Sequence, residues 1–167
     1  EHTTLVNNGI LKFTDIPVYE GTYVTNRYTV DSQNLEQKFL LNSDWADTTT
    51  LLVDVFENAS ATGSSTFTLA EDLTVVKSDS NNYFLQESID GKFEVYFGDG
   101  ITGKKLSDGN VVRLRYVVTN KTDANGAQSF STSSAISTVT DLSILTVTSA
   151  EGGSERESIQ SIKLNAP

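Results

Sequence analysis

The sequence predicts a mainly β protein: an antiparallel, β-sandwich-like domain followed by one short C-terminal helix. Three observations lead there. The 167 residues include 21 threonines and 19 serines beside many valines and aromatics, side chains that fit a pleated surface better than a helix. Short alternating apolar runs recur at intervals of roughly 8–15 residues, with turn residues between them. Near Gly152-Gly153 the apolar spacing changes from that of a strand to that of a helix.

The elements follow in order. Ile10 to Phe13 reads as a short strand. Ile16 to Tyr19 and Tyr23 to Val30 read as two strands broken at Glu20-Gly21, with Pro17 at an edge or strand start because it cannot donate to a ladder. Leu35 to Leu41 fits a strand or a helical turn, and strand is preferred. Leu51 to Phe56 is a strand, and Asn58 to Ser65, small and polar, is a loop. Thr66 to Leu69 alternates. Glu71 to Val76 and Tyr83 to Leu85 are weaker strands on either side of a polar surface turn, residues 78–82. Phe93 to Phe97 and Val111 to Thr119 are the strongest strands. Lys121 to Gly126 is a turn, since Asn125-Gly126 tolerates positive φ at both positions. Leu142 to Thr148 is a further strand. Ser154 and Glu157 form a capping box, and Ile159, Ile162 and Ala166 follow at helical spacing, giving a helix over about 155–165. Residues 1–150 are thus one β-rich domain, and whether 1–50 form a smaller lobe stays open. Residues 151–167 are the Gly-Gly break and short helix. The chain holds no methionine, even at position 1, so it is expected to be a piece of a larger parent with a further C-terminal part.

Composition narrows the chemistry. There is no cysteine, which excludes disulfides, thiolate zinc sites and a cysteine nucleophile. The formal net charge is −10, which repels phosphate backbones and disfavours nucleic acid as a partner. The tight basic pairs are Lys104-Lys105 and Arg113-x-Arg115. No apolar run is long enough for a membrane helix, and no membrane partner is expected. The single histidine, His2, lies at the terminus, which argues against Ser-His-Asp catalysis. Among 22 acidic residues no pair stands out as a glycosidase dyad. The chain is expected to be no enzyme and to need no cofactor or metal. The aspartate-rich turns at Asp79 and Asp123 lack the ligand spacing of a calcium loop.

The segment between the two strongest strands needs closer reading. Gly98, Gly103 and Lys104 match part of a phosphate-loop template, but position 105 is lysine where a magnesium-binding hydroxyl belongs. Asp99 would put a carboxylate in the phosphate cradle. The real motif also opens a helix, and here a strand follows. The segment therefore reads as a structural turn: Gly98, Gly100, Gly103 and Gly109 allow positive φ at turns, and Asp99 and Asp108 bond local backbone N–H groups. Trp45 beside Asp44 and Asp47 could stack on a sugar or plug a core edge, and Tyr19, Tyr23 and Tyr28 could be a binding surface or plain β-formers.

Phe97-Gly98-Asp99-Gly100, Gly103, Gly109, the run ending Arg115-Tyr116-Val117-Val118 and Asn125-Gly126 together resemble the baseplate J-like family of contractile phage tails. Glu151 to Ile159, with its Gly-Gly before acidic residues, and Asn165-Ala166-Pro167 extend the similarity, so specific motifs cover about residues 93–167. The Ser/Thr-rich style and the Asn-Ala-Pro ending are most similar to the large wedge proteins of T4-like phages. Leu106-Ser107-Asp108 stands where many relatives carry proline. The resemblance implies a structural virion protein of the tail baseplate, assembled in the host cytoplasm, contacting other wedge proteins and copies of itself. The alternative is a carbohydrate-binding or adhesin-like sandwich, for which Trp45 and exposed tyrosines would be the platform.

Overall fold

A computed structural model describes residues 5–7, 10–135 and 138–155. The chain divides into two compact units, one formed by Gly21–Thr119 and the other by the described residues of Glu1–Glu20 and Asn120–Pro167.

The larger unit is a single seven-stranded sheet. Its strands are β3 (Thr22–Thr29), β4 (Phe39–Leu40), β5 (Ala46–Phe56), β6 (Ser64–Leu69), β7 (Asn82–Glu87), β8 (Phe93–Phe97) and β9 (Val111–Val118), in the order β3-β9-β5-β6-β7-β8-β4. All neighbours are antiparallel except β6 and β7, which run parallel. The expected sandwich is therefore replaced by one mixed sheet that curls until its outer strands nearly meet. Side chains close the gap. The Tyr28 hydroxyl on β3 donates to the Leu40 carbonyl on β4, and the Tyr28 and Phe39 rings lie 5.7 Å apart. Gln37 Nε2 donates to the Thr29 carbonyl at 2.9 Å.

The curl creates the core. Inward positions of β9 (Val112, Leu114, Tyr116) are fully buried, and they pack with Val53 of β5, Val95 of β8, Phe39 and Leu41. Phe97 meets both Phe39 and Phe67 edge-on, at 5.5 and 5.3 Å, a favourable aromatic geometry. Tyr116 carries a hydroxyl into this interior, and it is satisfied there: it donates to Asn26 Oδ1 at 2.7 Å and accepts from the Asn42 N–H at 3.0 Å.

Several expected elements take another form. β5 starts at Ala46 and holds a bulge between Asp47 and Leu52. There, Asp47 Oδ1 accepts from the Thr49 N–H, and the Thr50 hydroxyl donates to the Asp47 carbonyl and accepts from the Val117 N–H, so side chains stand in for the ladder. Glu71 to Val76 is not a strand; Asp72 caps Thr74 and turns Leu73–Val75 into one 3₁₀ turn, a local bond that competes with pairing. Asp31 to Gln37 forms turns, which leaves Phe39–Leu40 as the strand. Ile16 to Tyr19 forms no strand, between Asp15 at φ +54° and Gly21. Leu142 to Thr148 is not a strand either, and its Leu145 and Val147 are 88% and 77% exposed. Alternation without a neighbouring edge does not make a strand.

In the smaller unit, β1 (Leu5–Asn7) and β2 (Ile10–Lys12) pair antiparallel. Glu20 accepts two hydrogen bonds from Asn120, one from its backbone and one from its side chain. The 121–127 turn and the 150–153 segment are joined by Gly126 N–H to the Ala150 carbonyl and Ala150 N–H to the Ala127 carbonyl. The described residues contain no α-helix; the expected helix over 155–165 and its cap partner Glu157 lie outside them, and Ser154 is exposed and irregular.

Candidate functional site

The glycine-rich loop between β8 and β9 has two halves. In the first, Asp99 Oδ1 accepts from the Ile101 and Thr102 N–H groups at 2.8 and 2.9 Å, and Gly100 N–H donates to the Gly103 carbonyl at 3.0 Å. A Cβ on Gly98 would overlap the Thr102 and Gly103 backbone, so only glycine permits this approach. Gly100 and Gly103 have φ of +92° and +83°, whereas Gly98, also expected at a positive φ, has none and is needed for the close approach instead. Gly103 and Lys104 N–H groups donate to the Lys77 and Ser80 carbonyls at 3.1 and 3.0 Å. The backbone bonds from Thr102 and then Ile101 hold the Asp99 carboxyl below its usual range. The loop N–H groups are thus already taken: those of Ile101 and Thr102 by Asp99, and those of Gly100, Gly103 and Lys104 by backbone carbonyls.

The second half holds other parts of the sheet. Asp108 Oδ1 accepts from the Ser32 N–H at 3.0 Å, a partner distant in sequence. Gly109, at φ +77°, donates to the Val30 carbonyl at 3.0 Å. Asn110 closes the turn by accepting from Ser107 N–H at 2.8 Å and donating to the Glu57 carbonyl at 2.9 Å. β9 follows directly.

A second constellation lies on the outward face of the sheet, where the sequence offered only Arg113-x-Arg115 as a basic pair. Asp54 on β5 is only 4% exposed. Its Oδ2 accepts from Arg113 at 2.8 Å and Arg115 at 3.1 Å, both on β9, and its Oδ1 from the Thr66 hydroxyl on β6 at 3.0 Å. Burial alone pushes the Asp54 carboxyl up, but the bonds from Arg113 and Thr66, with the charges of both arginines, outweigh it and bring the net pKa below the usual value. The Nε atoms of both arginines are buried without an acceptor. Arg113 and Arg27 also lie over the Phe56 ring, at 4.7 and 5.6 Å from its centre, within cation–π range. The signal was the i, i+2 spacing, which places both arginines on one strand face opposite an acid in mid-strand.

Trp45 is half-exposed and lines an open cleft of about 350 Å³ with Asn42, Ser43, Asp44 and Lys92. Lys92 Nζ stands 4.0 Å from Asp44. Of the tyrosines expected as a surface, Tyr19 and Tyr23 are exposed, whereas Tyr28 faces the core.

Near the Gly-Gly break, the Asn125 side-chain amide donates to the Gly153 carbonyl at 2.7 Å and accepts from its N–H at 3.0 Å. Two separate pieces of the sequence resemblance, Asn125-Gly126 and Gly152-Gly153, thus meet in one small structure. Among the described residues no cluster of three or more His, Cys, Asp or Glu side chains could hold a metal, and no helix is long and apolar enough to cross a membrane.

These features define a mainly β domain whose glycine-rich loop spends its polar groups on its own backbone and on neighbouring parts of the larger unit. No family model matches the chain. The baseplate wedge protein gp6 of Enterobacteria phage T4 is 31% identical to it over 108 residues, a match covering 52% of this chain. The chain spans 16% of that relative's length, so the relationship is partial and reaches a phage baseplate protein.

Proposed function

We propose that the chain is a non-enzymatic structural part of a contractile phage tail baseplate wedge. It contributes protein–protein contacts to the baseplate ring, with other wedge proteins and with copies of its parent, and it is assembled in the host cytoplasm into the virion tail. The observation that carries this reading is the 31% identity to the T4 baseplate wedge protein, and the motif similarity over about residues 93–167 agrees with it. A turn-stabilised β domain suits the role, because assembly asks for a rigid surface and the loop's internal bonds supply rigidity. Deleting residues 21–119 from the gene that carries this sequence is expected to block baseplate assembly, seen by electron microscopy of lysates. Normal tails after the deletion would defeat the reading.

One observation favours a second reading, a carbohydrate-binding module. A half-exposed Trp45 stands in an open cleft beside polar side chains, an arrangement in which an indole face can stack on a sugar while polar neighbours bond its hydroxyls. Selective glycan-array binding by the purified chain, abolished by Trp45→Ala, would favour it; an array without selective binding would remove it.

A further inference from the structure

We propose that the outward face of β3, β9 and β5 is a docking surface for an acidic protein partner, a segment or surface presenting clustered Asp and Glu carboxylates. The inference specifies the chemistry of one contact in the assembly reading and rests on that reading only for its biological setting. It starts from the strand pairing. Arg27 lies opposite Arg113, Arg113 opposite Asp54, and Asp54 opposite Thr66. Side chains in such a row point to the same side of the sheet. Their mutual contacts, and the Arg27 and Arg113 guanidiniums over the Phe56 ring, confirm it.

The charge of this face runs against that of the molecule. The chain carries 22 acidic and 12 basic residues. Yet on β3, β9, β6 and the part of β5 after the bulge, the outward positions include one carboxylate, Asp54, and it is buried under two guanidiniums. Asp47, before the bulge, is engaged with Thr49. Three arginines against one aspartate leave a local excess of two positive charges. Arg27 has no carboxylate within ion-pair distance among the described residues, and Arg115 retains 39% side-chain exposure despite its bond to Asp54.

The arginines are also held in place. Asp54 fixes Arg113 and Arg115 from below, and Phe56 supports Arg27 and Arg113. A fixed guanidinium fork loses little freedom when it takes a carboxylate bidentately. Tyr23 and Leu52, 68% and 42% exposed, lie at outward positions of the same strands and supply the apolar anchors that protein interfaces use. The net charge of −10 selects against a long polyanion, because nucleic acid reaching past the patch meets repulsion. A short carboxylate cluster does not.

The test uses the purified chain and fluorescence anisotropy with a fluorescein-labelled tetra-glutamate peptide, and a labelled deoxythymidine decamer for comparison. Saturable peptide binding is expected, weakening at least about tenfold when salt is raised from low to physiological ionic strength. Arg27→Gln with Arg115→Gln should weaken it by at least about tenfold, whereas Lys104→Gln with Lys105→Gln should leave it unchanged. Arg27→Gln alone serves as the second variant, since Arg27 makes no ion pair among the described residues and its neutral replacement leaves the bonds to Asp54 in place; it should also weaken binding at unchanged circular dichroism. Absence of saturable binding, equal loss in the lysine variant, or tighter binding to the oligonucleotide would overturn the proposal. Peptide binding that behaves as expected beside normal tail assembly after the 21–119 deletion would keep the surface and reject the assembly role.

Discussion

At the residue scale, two polar side chains organise the sheet from opposite faces. Tyr116 is fully buried yet joins Asn26 and Asn42 through its hydroxyl. Tyr116→Phe would strand an amide oxygen and a backbone N–H in the interior, and urea unfolding is expected to show a loss of about 1–3 kcal/mol. Asp54→Asn removes the charge that two guanidiniums converge on. The expected loss is roughly 2–3 kcal/mol, below the full penalty for breaking a buried pair because Arg115 still reaches water. Neither role was legible in the sequence. A tyrosine and an aspartate in strand runs read as a β-former and a solvated charge, and only the pairing register shows what stands opposite them.

At the scale of elements, legibility followed the strength of the pairing partner. β8 and the core of β9 were plain, because apolar alternation and glycine-rich turns bracket them. The first half of β5 was hidden, since Asp47-Thr48-Thr49-Thr50 has the composition of a loop and makes its bulge with side-chain bonds. Leu142 to Thr148 showed the reverse error: good strand residues with no edge to join. The loop after β8 was read correctly as lacking a following helix, while Asp108 reaches Ser32 rather than a local N–H. The turn at Gly153 offers a direct check. An added Cβ would overlap the Lys121 carbonyl and press on Asn125 Oδ1. Gly153→Ala should therefore detach the 150–153 segment from the 121–127 turn, at a cost of about 2–3 kcal/mol. Faster amide exchange at Gly126 and Ala150 is the measurement, and unchanged protection there would contradict the assignment.

At the scale of the whole molecule, charge sets the pH range of stability. Hydrogen bonds or ion pairs hold Asp54, Asp72, Glu94 and Asp99 below their ordinary pKa values. The unfolded chain then binds more protons than the folded one between the two pKa values. Stability is present above roughly pH 4 and is lost as pH falls through the folded values. Burial raises Tyr28, Tyr83 and Tyr116, so stability also declines as pH climbs past about 10, where the unfolded tyrosines ionise first. Thermal melts across pH should give a plateau with both shoulders, and Asp54→Asn should diminish the acid one.

The first and last strands of the larger unit are direct neighbours, with Thr22 paired to Val118. Its entry and exit therefore sit side by side, at the spacing of two hydrogen-bonded chains. A module built this way can be spliced into a tight surface turn of an unrelated host without prying that turn apart. It can equally be recircularised through a short linker and reopened at the exposed 58–63 loop, giving a permuted variant with the same sheet.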